Sequence, residues 1–191
     1  MPWTQQTKFF QFPAKKGPFR VALANGYIAN TWRIQMIKTA EAYASPARGR
    51  RQAQEFKVVS TGENVAAQTA INNFIDSAYD AIVVNAQNPK AFAPVERAKA
   101  AGVVLVAFDN TLDTEDAINV NVDQKGLGAL WGDWLVKHLP EGGKILEVRG
   151  VSGTSVDINR HEGIHETLDR SGKKWRWSRC SASGTIPPHR R

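Results

Sequence analysis

One cysteine, Cys180, occurs in 191 residues, so no disulfide can form within a chain and no cysteine-based metal cluster can be built from it. No apolar run approaches the ~18 to 20 residues that cross a bilayer. The opening MPWTQQTKFFQFPAKKGPF holds no contiguous apolar segment followed by small cleavage residues, so neither a spanning helix nor a secretory signal is read in the chain as given. Acidic residues are missing from Arg170 to Arg191, which holds seven of the 25 basic residues; the rest equal the 18 acidic residues in number. The net charge of +7 therefore belongs to the tail. A basic tail attracts polyanions, but a short PPHRR ending without repeat or partner motif does not make a nucleic-acid-binding protein.

Signatures of catalysis are also missing. No GxGxxG follows the first apolar run, and GVSGTS (150–155) has neither the spacing nor the lysine of a phosphate-binding P-loop. No serine sits in a nucleophile elbow. Of the four histidines, His161 and His165 stand four apart, a spacing that suits zinc on a helix face. Gly163 lies between them and no third ligand is evident, so they read as surface helix residues. No catalytic residue, metal or cofactor is assigned, and an enzyme is not expected.

What the chain does contain is a regular alternation. FRVALA (19–24), FKVVS (56–60), AIVVN (81–85), VVLVAF (103–108), AINVNV (117–122) and KILEV (144–148) read as strands. VVLVAF is apolar on both faces, which suits a central parallel strand covered on each side. Ala67, Ile71, Phe74, Ile75 and Ala78 follow helical spacing, as do Leu127, Leu130, Trp131, Trp134 and Leu135. AFAPVERAKAAG ends at Gly102, a helix C′ residue, and Pro94 requires that helix to begin near Ala91. Strand–helix alternation with short links predicts an α/β, doubly wound parallel sheet with right-handed crossovers.

Ligands of such sheets sit beyond the carboxyl ends of the strands. Those ends here lead to Asn25, Asn30 and Trp32, to Ser60 and Thr61, to Asn85 and Gln87, to Asp109 and Asn110, and to RGVSGTS followed by Arg160. Amides, one carboxylate, one guanidinium and an indole suit a neutral polyol. Carboxylate and guanidinium bond paired hydroxyls, amides donate and accept, and an aromatic face stacks on a pyranose. Asn30, just before a helix, is equally suited to capping it.

NGYIANTWR, AIVVNAQNP, VLVAFDN, NVDQKGLGALWGDWL and KILEVRGVSGTSVDINRHEG together resemble the ribose-binding-type (type I) periplasmic solute-binding proteins of sugar ABC transporters, from about Phe19 to about Asp169. The resemblance implies a two-lobed clamp that closes on a monosaccharide or related polyol and delivers it to a membrane permease, in the periplasm. It places Asn30, Trp32, Asn85, Asp109, Asn110 and Arg160 against the sugar, with Asn25 and Arg33 as weaker carry-overs. Ribose binders of the family often have arginine where this chain has Asn110, which argues against a simple copy of a ribose site.

The chain then departs from the pattern. After EGIHETLDRSGKKW a relative continues with further βα units, whereas RWSRCSASGTIPPHRR is rich in Arg, Ser and Pro and has no periodicity. The organisation expected is an extended leader (1–18), a first α/β lobe (19–122), a second lobe only begun (123–174) and an irregular basic tail (175–191) created by a reading-frame shift near Trp175. SPARGRRQAQ (45–54) reads either as another shifted stretch or as a surface loop. Half a site should hold sugar weakly. A sugar-responsive transcription regulator shares this clamp, but residues 1–18 leave no room for a helix-turn-helix.

Overall fold

Residues 11–28, 30–45, 53–62, 64–88 and 93–181 are described by the structure, a computed structural model. Their order is β1 (Phe19–Asn25), α1 (Thr31–Ala44), β2 (Ala53–Ser60), α2 (Asn64–Asp76), β3 (Ala81–Asn85), α3 (Pro94–Ala100), β4 (Val104–Phe108), β5 (Ile118–Val120), α4 (Gln124–His138), β6 (Gly143–Arg149), α5 (Ser155–Arg170) and β7 (Trp175–Ser181). Five strands form one parallel sheet in the order β2-β1-β3-β4-β5, and β6 and β7 form a second parallel pair. This is the doubly wound α/β architecture the alternation predicts. The chain divides into two compact units between Val120 and Asn121.

In the first unit, alternate residues of the middle strands point to opposite faces. Ala22 and Ala24, Ile82 and Val84, and Leu105 and Ala107 enter the core, where Ile71, Phe74 and Ile75 of α2 and Val95 and Ala98 of α3 cover them. Each large side chain buried there contributes roughly 1.5–3 kcal/mol. Pro94 occupies the first turn of α3, where its missing N–H costs no hydrogen bond. The described helix is Pro94–Ala100, Ala91 lies outside the described residues, and Gly102 follows the helix at φ +66°, as a C′ residue should.

The opposite face of this sheet is less well covered. Val21, Val83, Val104 and Phe108, with Trp32, Met36 and Tyr43 of α1, line an apolar cavity of about 1010 Å³. Arg33 is the one buried residue of α1, and Trp32, Ile34 and Tyr43 are exposed. Phe12 and Pro13, from the irregular residues 11–18, also line the cavity.

The second unit is organised by glycine. A Cβ on Gly128 would strike the backbone of Arg160, and one on Gly163 would strike the backbone of Lys125, so α4 and α5 pack main chain against main chain. The apolar stripe of α4 is not what makes this contact. Gln124, Gly128 and Gly132 are buried, whereas Leu130, Trp131 and Trp134 are exposed, because close backbone approach rather than the apolar stripe sets the contact. It also explains Gly163 in the middle of α5. β6 turns Glu147 and Arg149 toward α5 and exposes Leu146 and Val148.

The tail is corrected as well. Trp175–Ser181 form β7, in parallel register with β6 from Gly143↔Trp175 to Arg149↔Ser181, so an irregular stretch does not begin at Trp175. Residues 182–191 lie outside the described residues, as does most of 45–54, with β2 starting at Ala53.

Candidate functional site

A sheet ordered 2-1-3-4-5 reverses its winding between the first and third strands, and ligands of such sheets sit at the carboxyl ends of that pair. Asn25 ends β1, Asn85 ends β3, the two are register partners, and both are fully buried. Two buried amides at one strand end must find hydrogen bonds or be costly.

Asn25 spends its amide locally. Its Nδ2 donates to Tyr27 O at 2.7 Å and to Ser60 Oγ at 3.3 Å, which ties the β1–α1 loop to β2. Its Oδ1 accepts from Arg33 Nη1 at 2.6 Å, and the same nitrogen reaches Asn85 O at 3.4 Å. Arg33 is only 4% exposed, a cation held beneath the strand ends by the first turn of α1. Burial pulls its pKa below the ordinary value, and the negative charge of Asp109 opposes that shift. The guanidinium stays protonated regardless.

Asn85 is differently placed. Its Oδ1 accepts from Asn110 Nδ2 at 3.0 Å. Its Nδ2 has no hydrogen-bond partner, one of two such buried side-chain atoms among the described residues, the other being Asn72 Oδ1 on α2. An unmade buried bond costs about 1–3 kcal/mol, an expense typical of sites built for something else to complete. Asn110 Nδ2 also donates to Asp109 Oδ2 at 3.1 Å. Asp109, half-buried, adopts φ +61°, a left-handed conformation that aspartate tolerates better than most residues, while its N–H donates to Val120 O at 3.1 Å.

The structure thus brings Asn25, Arg33, Asn85, Asp109 and Asn110 together. It places the other expected residues elsewhere. Asn30 is exposed and caps α1, its Oδ1 accepting from the Arg33 N–H at 2.8 Å. Trp32 lines the apolar cavity with Met36 and Tyr43, and Arg33 Cζ lies 5.8 Å from its ring centroid. Arg160 belongs to the second unit, where its Nε donates to Gln124 Oε1 at 2.7 Å and its Cζ lies 5.9 Å from the Trp131 ring centroid. Arg33 and Asn25, the weaker expectations, are central. The signal that could have ranked them higher is a charged residue in the first turn of α1, three positions after its cap, where the chain has just left a strand end.

In the second unit, the third partner that sequence spacing did not reveal for His161 and His165 is Glu147. His161 Nδ1 lies 2.7 Å from Glu147 Oε1, and His165 Nε2 lies 3.3 Å from Oε2.

These features define a class, and comparison with known proteins agrees. Residues 21–183 match the periplasmic binding protein domain, so the chain belongs to that family. The match continues past Trp175, where the sequence alone suggested a break. The chain is 30% identical over 168 residues to a D-ribose/D-allose-binding protein of Pseudomonas aeruginosa, covering 81% of this chain and 51% of that one. It is 32% identical over 112 residues to a xylitol-binding protein of Mycolicibacterium smegmatis, covering 57% and 32%. Among solved structures, an ABC transporter solute-binding protein from Burkholderia multivorans superposes with TM-score 0.72 at 26% identity over 87% of this chain and 61% of the other. The Caulobacter myo-inositol-binding protein shares the fold, with TM-score 0.75 at 19% identity over 88% and 57%. The chain therefore spans about half the length or less of the curated relatives it matches. Members of this family bind solutes and are not enzymes. No helix among the described residues is long and apolar enough to cross a membrane.

Proposed function

We propose that this chain belongs to the solute-binding component of an ABC-type sugar import system, works in the periplasm and serves a membrane permease, its first unit supplying one wall of a site for a neutral monosaccharide or polyol. The observation that supports this most is the unpartnered Asn85 Nδ2, buried at the β1/β3 switch point beside Asp109 and Arg33. A sugar hydroxyl both donates and accepts. It takes a hydrogen bond from Asn85 Nδ2 and gives one to the Asp109 carboxylate, while the Arg33 guanidinium, whose described bonds use only Nη1, offers further donors. Trp32 in this reading backs the guanidinium, and Asn25 holds it in place. The role expected for Arg160 rests on the resemblance alone.

The relatives named for D-ribose and D-allose, for xylitol and for myo-inositol bind neutral polyhydroxy compounds, which is the chemistry this donor set fits. Neither the fold nor these relatives favour the regulator reading. Calorimetric titration of the chain with neutral pentoses, hexoses and polyols, alongside amino acids and phosphate, tests the proposal. Saturable heat is expected from the polyhydroxy compounds alone, with dissociation constants on the order of millimolar, since each charge-assisted hydrogen bond absent from a partial site removes about tenfold or more. Asp109→Asn and Asn85→Ala should each abolish it. Equal heat from the variants, or none from any sugar, contradicts the proposal.

A further inference from the structure

We propose that Glu147, His161 and His165 form a binding site for one divalent transition-metal ion of the zinc type, separate from the polar cluster of the first unit. Glu147 is a carboxylate only 7% exposed, in the middle of β6. A carboxylate so buried requires compensation. The nearest cation, Arg149, does not provide it well. Its Nε lies 3.7 Å from Glu147 Oε1, but its fork is engaged by Asp157 at 3.0 and 2.7 Å.

The two oxygens of Glu147 instead face two imidazoles. His161 and His165 stand one turn apart on α5, their ring centroids 4.0 Å from each other and tilted by 53°. One ligand atom from each of the three residues falls within 4.8 Å of the others. A tetrahedral zinc ion with bonds of about 2.0–2.1 Å holds its ligand atoms roughly 3.3 Å apart. Of the two carboxylate–imidazole separations, 3.3 Å matches that spacing and 2.7 Å is shorter, so an ion seats as the His161–Glu147 pair opens by side-chain rotation.

The surroundings fix the orientation of the ligands. The His165 ring stacks on Trp177 of β7, with centroids 3.9 Å apart and planes 19° from parallel. Gly163 lets α5 lie directly on α4 with both histidines turned to β6. Two imidazoles and one carboxylate make a zinc-type donor set, completed by water in three-ligand sites, rather than one for magnesium or calcium, which prefer oxygen alone. On binding, the ion replaces any proton shared between carboxylate and imidazoles, and those protons leave to solvent.

Titration of the chain with Zn²⁺ by calorimetry, and with Co²⁺ followed by visible absorption, tests the site. One equivalent should bind, with the ligand-field bands of four-coordinate cobalt, and zinc should shift the ring ¹⁵N resonances of His161 and His165 in the unaltered chain. His161→Gln and His165→Gln should each weaken binding on the order of 100-fold or more, as loss of a ligand exceeds the 10–100-fold effect of losing an outer-shell partner. His138→Ala, on the exposed end of α4, should leave affinity unchanged. Absence of saturable binding overturns the site. So does binding that survives in a folded His161→Gln/His165→Gln variant, or a zinc titration that leaves both ring ¹⁵N signals unmoved.

Discussion

Asn25 and Asn85 stand opposite each other at the carboxyl ends of β1 and β3, both fully buried, and a single guanidinium nitrogen of Arg33 bonds the side chain of one and the backbone carbonyl of the other. The cation is thus part of the floor of the switch point, and its removal has a calculable consequence. Arg33→Ala leaves Asn25 Oδ1 buried without its donor, a cost of about 1–3 kcal/mol. Arg33→Lys should cost less but not nothing, since one ammonium does not reproduce a planar fork. Urea unfolding followed by circular dichroism measures both.

Close contact between α4 and α5 gives a second prediction. Gly163→Ala and Gly128→Ala each drive a methyl group into a facing backbone and should destabilise the second unit by roughly 1–3 kcal/mol, the range for overpacking. Gly62→Ala, with nothing within 4 Å of the added carbon, should change stability by less than about 0.5 kcal/mol. Thermal unfolding distinguishes them.

A third concerns acid. The Asp80 carboxylate accepts from the Arg20 N–H at 2.9 Å and from Lys15 Nζ at 3.2 Å, and the first of these bonds does most to hold its pKa below the ordinary value. The Glu55 carboxylate is likewise lowered, first by the Tyr79 hydroxyl at 2.5 Å and then by Arg20 at 2.8 Å. A carboxylate with a depressed folded pKa adds stability that is complete above its unfolded value, about 4, and disappears as pH falls through the folded value. Stability should therefore decline below about pH 4, and Asp80→Asn should flatten part of that decline.

The loosely covered sheet face predicts dye binding. The apolar cavity of about 1010 Å³ beside α1 should take up anilinonaphthalene sulfonate under native conditions. Met36→Glu, which puts a charge on its wall, should reduce the fluorescence without unfolding the chain. Equal fluorescence from the variant places the dye elsewhere.

Strands and strand-end residues were legible because their information is local. AIVVN is a strand by its apolar run, and Asn85 and Asp109 lie where strands of any such sheet deliver ligand groups. The burial of Arg33 was not legible, because it depends on α1 folding back beneath two strand ends contributed by distant parts of the chain. The contact between α4 and α5 was not legible for a related reason. Apolar periodicity favoured Trp131 and Trp134, while the contact depends on glycines whose signal is the absence of a side chain. Glu147 escaped notice as a partner of His161 because fourteen residues and a change from strand to helix separate them.

Sugar recognition in this reading depends most on Asn85 Nδ2 being a donor reserved for a hydroxyl. The direct measurement is the side-chain amide resonance of Asn85, followed by NMR as the chain is titrated with xylitol, D-ribose, D-allose and myo-inositol. Progressive, saturable movement of the Asn85 and Asn110 amide signals with at least one of these, absent in Asp109→Asn, is the predicted result. Amide signals that stay fixed while sugar binding is detected elsewhere in the chain would contradict it.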